Sequence, residues 1–199
     1  MEGDILDLLL QLRKEQSTST DLTLDNIKAI FMDILTAGSD SIAVTVIWSM
    51  TALMKNSKVM KKVQEEIRQS IGNKGIVDED DIQNMPYFKA MIKETFRFYP
   101  PGPLLWPRKS MKKSTLEGDI DFKGQNFELI PFGAGRRGCP GISLGVTTVN
   151  LILSNLLYAF DWELPYGMMK EEIDTDGLPG LIMNKKNALC LVPKNYLYT

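Results

Sequence analysis

The stretch at residues 131–141, PFGAGRRGCPG, constrains this chain most, because it places a cysteine among glycines directly before a helical pattern. Cys139 follows Arg136 and Arg137, and apolar residues recur after it at spacings of three and four, which predicts one face of a helix. These positions are Ile142, Val146, Val149, Leu153, Leu156 and Phe160. Cys139 is therefore expected beside a helix N-terminus, where the helix dipole and the two arginines favour the thiolate.

The glycines of this stretch leave its backbone open to a flat, bulky ligand, because glycine has no side chain to block the approach. They are Gly133, Gly135, Gly138 and Gly141. A thiolate that faces a large planar cofactor, with cations for its acidic groups, is typical of a haem-thiolate site. The alternative is a small buried cysteine in a glycine-rich turn, which is the commoner role of a single cysteine. The glycines, arginines and helix start all agree with the haem site, and this agreement favours it.

The motif Phe132-x-x-Gly135-x-Arg137-x-Cys139-x-Gly141 resembles the haem-binding signature of the cytochrome P450 superfamily. The preceding segment, residues 121–130, resembles plant microsomal members of that family. The resemblance implies haem b (iron protoporphyrin IX) as the cofactor, with Cys139 as the axial ligand of the iron. The other haem contacts that it implies here come from Phe132, Gly133, Arg137 and Gly141.

A long helical pattern that begins after Thr23 contains the polar segment Ala37-Gly38-Ser39-Asp40-Ser41. Glycine and hydroxyl side chains weaken a helix locally, so a kink or bulge here would leave a groove; the alternative is a solvated polar break. The segment resembles the oxygen-binding groove of the family's long central helix. The resemblance implies that Ala37 and Gly38 face the haem and that Asp40 and Ser41 deliver protons, although the family more often has threonine in place of Ser41.

Glu94 and Arg97 share one face of a helix that is predicted to end before Pro100. They form either an exposed pair of little energetic value or, by resemblance, the buried structural pair of the family's Glu-x-x-Arg helix. Arg108, further along, resembles a residue that binds a haem propionate. The Pro-Glu-Arg-Phe loop that usually provides the pair's third partner is missing, which predicts that an internal segment is absent near 118–119.

Composition excludes several other classes of function. The 199 residues contain no histidine, which removes the usual general base, serine-type triads and the commonest metal ligand. Two cysteines alone cannot build a structural zinc or iron–sulfur site. The second, Cys190, lies in the apolar run 188–193, a predicted short strand, and is expected in the core. A net charge of −2 gives no indication of nucleic-acid binding.

The start of the chain bears on its localisation. Residues 1–4 are acidic and unlike a signal peptide, and no uninterrupted apolar stretch reaches the length that spans a bilayer. Ile5, Leu8, Leu9 and Leu12 instead predict a short amphipathic helix that faces a core. Family members usually carry an N-terminal anchor and lie on the endoplasmic reticulum membrane, facing the cytosol. We therefore expect that location by resemblance, or the cytosol for a chain without the anchor.

We therefore predict a mainly α chain with a few short β-strands. Residues 1–199 would form a single incomplete haem-thiolate monooxygenase domain, containing the long central helix, the Glu-x-x-Arg helix and the cysteine-ligand loop with its following helix, and lacking the family's N-terminal part. By resemblance, the reaction inserts one oxygen atom from O2 into a small hydrophobic organic substrate, similar to plant secondary metabolites, with electrons from an NADPH-dependent reductase. Two alternatives stay open: a catalytically inactive truncated fragment, and a helical interaction module without haem.

Overall fold

The computed structural model describes residues 4–15, 22–104 and 130–197. Its helices are α1 (Ile5–Glu15), α2 (Leu24–Lys55), α3 (Ser57–Ile71), α4 (Glu79–Ile82), α5 (Pro86–Phe98) and α6 (Ile142–Ala159). Two strands, β1 (Phe160–Glu163) and β2 (Val192–Asn195), pair antiparallel, and short 3-10 turns lie at Gly135–Arg137 and Lys170–Glu172. The chain divides into two compact units between Asp40 and Ser41, inside α2.

The first unit contains α1 and the N-terminal part of α2. The side-chain oxygen of Thr23 accepts a hydrogen bond from the Asn26 N–H at 3.2 Å, which caps the start of α2 as its sequence predicts. No residue of α1 is buried in the described structure. The expectation that the leucine face of α1 lies in a core is therefore wrong for the residues that the structure describes.

The second unit is organised around one core that α3, α5 and α6 share. α3 contacts both α5 and α6, and helical periodicity brings apolar residues of all three helices into one buried cluster. The fully or almost fully buried members include Val63, Ile67, Phe88, Phe96, Leu153 and Leu157. Met50 and Leu53 add the end of α2 to the same core. The apolar face predicted for the helix after Cys139 is confirmed at Val149 and Leu153, which are buried.

Polar side chains of α3 fasten the neighbouring elements to it. The Glu66 carboxylate accepts main-chain N–H groups in the first turn of α5, at 2.7 Å for Phe88. These N–H groups have no partner within their own helix, and a negative charge is favourable at a helix N-terminus. Gln64 and Arg68 donate to the carbonyl of Phe160, just after α6, at 2.9 and 3.2 Å. One helix thereby fixes the start of α5 and the end of α6.

Trp48 joins α2 to two later segments. Its ring stacks on Tyr99, just after α5, with centroids 4.5 Å apart and planes within 4°. Its indole Nε1–H donates to the carbonyl of Met183 at 2.8 Å. The Met183 N–H in turn donates to the carbonyl of Pro101 at 2.9 Å. The chain leaving α5 and the turn at 177–185 are therefore held together on α2.

The C-terminal strand differs from its prediction. Pairing begins at Val192, not Ala188, and Cys190 is exposed, so its assignment to the core is wrong. Leu189 and Leu191 pack against the core on either side of it. Because successive side chains of an extended segment point in opposite directions, Cys190 is turned away from that core.

Two described helices, α2 and α6, are long and apolar enough to cross a membrane by length and composition. The sequence analysis applied a stricter requirement, an uninterrupted apolar stretch, which neither helix meets. Serine, threonine and asparagine interrupt the apolar runs without lowering mean hydropathy enough to disqualify them. Core helices of soluble proteins pass the same test, so the result does not assign either helix to a membrane.

Asp174 holds the turn at 174–187 together, and its titration should be visible in the pH dependence of stability. Lys185 and Asn187 donate to its carboxylate at 2.9 and 3.0 Å, and these bonds lower the pKa of Asp174 from 3.8 to about 2. A depressed folded-state pKa contributes stability that is complete above 3.8 and is lost as the pH falls towards 2. We expect the melting temperature of Asp174→Asn to fall less than that of the wild type across this window.

Thermal melts of both proteins through that pH range measure the difference. Asp176→Asn is the matched control. The Asp176 carboxylate lies 3.7 Å from the Lys186 ammonium, longer than a hydrogen bond, and this exposed pair should contribute little to stability. Parallel curves for the wild type and Asp174→Asn would contradict the assignment.

Candidate functional site

The cysteine loop, residues 130–141, is closed by main-chain hydrogen bonds. The Gly133 N–H donates to the carbonyl of Ile130 at 2.8 Å, which forms a tight turn. The Cys139 N–H then donates to the carbonyl of Phe132, also at 2.8 Å. Gly133 has a φ of 69°, in the left-handed region where glycine is favoured, so this glycine is needed for the turn itself.

The Cys139 thiol is exposed and lies just before α6, whose N-cap is Gly141. A Cβ built at Gly141 would meet Cys139 Sγ at 3.8 Å, whereas one built at Gly135 would meet no described residue within 4 Å. The backbone of the loop is thus open beside Gly135. Arg136 and Arg137 are exposed in the 3-10 turn before the cysteine. The loop therefore presents a sulfur ligand, adjacent cations and accessible backbone, the donor set expected for a haem with acidic side groups.

The segment with Ala37, Gly38, Asp40 and Ser41 lies within α2. The helix continues through all four residues, so the alternative of a polar break is wrong, and the groove at this segment stays a prediction. A Cβ at Gly38 would meet no atom of the described residues within 4 Å, so none of those residues covers the helix at this position. Threonine hydroxyls on either side of the segment donate to helix carbonyls, Thr36 to that of Met32 at 2.6 Å and Thr45 to that of Ser41 at 2.8 Å.

Glu94 and Arg97 form the pair that their spacing predicts. Arg97 Nε and Nη2 donate to the two Glu94 carboxylate oxygens at 2.8 and 2.7 Å, and these bonds lower the pKa of Glu94. The side chains are 53% and 49% exposed, so the burial that the resemblance implied is not seen in the described structure. The Arg97 guanidinium also lies over the ring of Phe98, 3.9 Å from its centroid. The pair therefore has the geometry of an exposed ion pair, which solvent screens and which adds little to stability.

Two predictions fall on residues 105–129, which lie outside the described residues: the haem-propionate role of Arg108 and the absent segment near 118–119. Both stay predictions.

The structure also adds a residue that the sequence analysis did not consider. Phe96 of α5 contacts Phe132 in the cysteine loop, with ring centroids 5.1 Å apart. In the sequence, Phe96 is one of several apolar residues on α5. Periodicity therefore could not identify it as a neighbour of the cysteine loop.

Comparison with known proteins places the chain in a family. The family model described as Cytochrome P450 matches residues 2–125 and 117–192. The 5-OH-xanthotoxin synthase of Pastinaca sativa is 45% identical over 237 aligned residues, covering 98% of this chain and 46% of the relative. Cytochrome P450 71B37 of Arabidopsis thaliana is 43% identical over 233 residues, covering 98% of this chain and 47% of the relative. The chain thus spans about half the length of these relatives.

The fold shows the same likeness. A solved structure of zebra fish cytochrome P450 with progesterone superposes with a TM-score of 0.74 at 23% identity, covering 97% of this chain and 51% of that structure. The prediction of a mainly α, partial P450 fold is confirmed. Because the family model matches most of the sequence, the chain belongs to the cytochrome P450 family.

Proposed function

We propose that this chain provides the cysteine ligand of a haem-thiolate monooxygenase, with Cys139 as the axial ligand of haem b. The observation that carries the proposal is an exposed cysteine on a glycine-containing loop before α6, in a chain of the cytochrome P450 family. When bound, the haem supplies the oxygen-activating chemistry, which a thiolate ligand supports by donating electron density.

The other residues of the proposed site bind and orient the cofactor or move protons. Arg137, together with Arg108, would neutralise the propionates, since guanidinium–carboxylate pairs are strong when shielded from water. The loop contacts would come from Phe132, Gly133 and Gly141, and those of the central helix from Ala37 and Gly38. Asp40 and Ser41 would hold and transfer a proton at the carboxylate and the hydroxyl. The ratio of product formed to NADPH consumed by an Asp40 variant with a reductase tests this role.

The proposed reaction inserts one oxygen atom of O2 into a small hydrophobic organic substrate, with electrons from an NADPH-dependent reductase. The name of the Pastinaca sativa relative gives a 5-OH product, which supports hydroxylation of a plant secondary metabolite as the type of reaction. By family, the proposed location is the cytosolic face of the endoplasmic reticulum membrane. Glu94 and Arg97 are proposed to be structural only.

The deciding experiment is the difference spectrum of the purified chain with haem, reduced, with and without carbon monoxide. A strongly red-shifted Soret band would support thiolate ligation of the iron. A band typical of a lost thiolate would contradict the proposal and favour the inactive fragment. Failure to take up haem would also contradict it, and would fit either the inactive fragment or the helical interaction module.

A further inference from the structure

We infer that Phe96 of α5 is a positioning residue for Cys139 and that it acts through Phe132. The consequence for the iron ligand rests on the proposed function, whereas the chain of contacts does not. Phe132 is the middle link because it contacts both ends: its carbonyl accepts the Cys139 N–H at 2.8 Å, and its ring meets Phe96.

The main chain of the cysteine loop fixes Phe132 relative to Cys139. The turn from Ile130 to Gly133 sets the direction of the chain at Phe132, and the bond to Cys139 closes the loop seven residues later. A displacement of Phe132 must therefore stretch or break that hydrogen bond, or carry Cys139 with it. Glycine-rich loops lose much conformational entropy on ordering, so a loop of this kind needs an external anchor.

The ring contact fixes Phe132 relative to the core. Phe96 is 2% exposed, and its ring meets that of Phe132 edge to face, with centroids 5.1 Å apart and an interplanar angle of 68°. This arrangement is favourable for aromatic pairs beyond the area that they bury. Glu66 of α3 holds the first turn of α5, so Phe96 belongs to a helix that is fixed at its start. Among the described residues, this aromatic pair is a direct side-chain contact between the cysteine loop and the buried face of α5.

The position of a metal ligand matters on the scale of a fraction of an ångström, because ligand geometry depends on the packing that supports it. Loss of the Phe96 ring edge removes one of the contacts that hold Phe132 against the core, so Phe132 is held less firmly and Cys139 with it. Phe96 does not itself touch the sulfur in this scheme. Substitution of Phe96 should therefore increase the mobility of the cysteine loop and lower the fraction of haem that is bound through the thiolate.

The first test measures hydrogen exchange of the Cys139 amide in the full chain without haem. The variants are Phe96→Leu and the matched control Phe88→Leu, since Phe88 is fully buried in the same helix but lies eight residues, about 12 Å, away along its axis. We expect Phe96→Leu to accelerate exchange at Cys139 roughly three- to tenfold relative to Phe88→Leu. Equal exchange rates at Cys139 in the two variants would overturn the inference.

Phe132→Leu is a second variant that tests the same contact if Phe96→Leu does not fold. Phe132 is only half-buried, so its substitution should disturb folding less. It should accelerate exchange at Cys139 to a similar extent. The double variant should be no worse than the stronger single variant, as expected when two substitutions remove one shared contact. Additive effects of the two substitutions would contradict a shared contact.

The second test records the carbon monoxide spectrum of the same variants with haem. Phe96→Leu should lower the ratio of the thiolate band to the non-thiolate band roughly three- to tenfold, while Phe88→Leu keeps the wild-type ratio. An unchanged ratio in Phe96→Leu would contradict the inference for the iron ligand. If the wild type itself shows no thiolate band, the proposed function fails, and the exchange measurement still decides whether Phe96 positions the loop.

Discussion

Replacing Cys139 with serine is expected to abolish the red-shifted carbon monoxide band of the haem-loaded chain completely. Serine keeps the size of the side chain, but its hydroxyl does not ionise near neutral pH and cannot donate electron density as a thiolate does. Cys139 is exposed, so the substitution removes no buried contact. The folded structure should therefore be retained, with a change in unfolding free energy within about 0.5 kcal/mol. Circular dichroism and urea unfolding measure that retention beside the spectrum.

Cys190→Ser is the matched control for this prediction. Cys190 is also a free, exposed cysteine, and the chemical change is the same. It lies in the segment before β2 and has no place in the proposed site. The control variant should keep the full band. A band that survives in Cys139→Ser, or one that disappears in Cys190→Ser, would show that Cys139 is not the ligand.

The second large effect is expected for the stability of the unit that contains α3, α5 and α6. Trp48→Ala should lower its free energy of unfolding by about 3–5 kcal/mol. The indole is fully buried, and its loss leaves a cavity beside Tyr99. It also leaves the carbonyl of Met183 without the donor that now lies at 2.8 Å. Since a typical domain is stable by about 5–15 kcal/mol, this one substitution would remove a large part of the total.

Trp48→Phe separates the two contributions. Phenylalanine keeps an aromatic ring to stack on Tyr99 but has no N–H for Met183, so we expect a loss of about 1–3 kcal/mol. Urea unfolding with equal slopes for all variants gives the differences directly. A loss below about 1 kcal/mol for Trp48→Ala would mean that the stack and the indole hydrogen bond are not formed in solution.

Local features of this chain were predictable because their causes lie within a few residues. The apolar spacing of α6, the start of α2 after Thr23 and the end of α5 before Pro100 each follow from neighbouring side chains. The motif around Cys139 belongs to the same class, since a glycine with positive φ and a cysteine before a helix are set by a short stretch. Its match to a family signature then predicted the fold, which the structural comparison confirmed.

Burial of individual side chains was harder to predict, and here several expectations failed. A face of Ile and Leu residues on α1 looks like a core face, yet no α1 residue is buried in the described structure. Glu94 and Arg97 have the right spacing for either a buried or an exposed pair, and the structure leaves them half exposed. Cys190 sits in an apolar run but alternates away from the core. Spacing along a helix or strand gives a direction, and only the neighbouring elements determine what lies there.

The sequence by itself therefore determined the helices of the second unit, the cysteine motif and, through that motif, the family. Only the tertiary structure decided which side chains from distant parts of the chain meet. Phe96 and Phe132 are 36 positions apart, as the sequence shows, and Trp48 and Met183 are separated by 135. Helical periodicity acts over three or four residues, whereas these contacts depend on how whole helices and loops pack. For that reason the ligand could be predicted from the sequence, and the residue that we infer to position it could not.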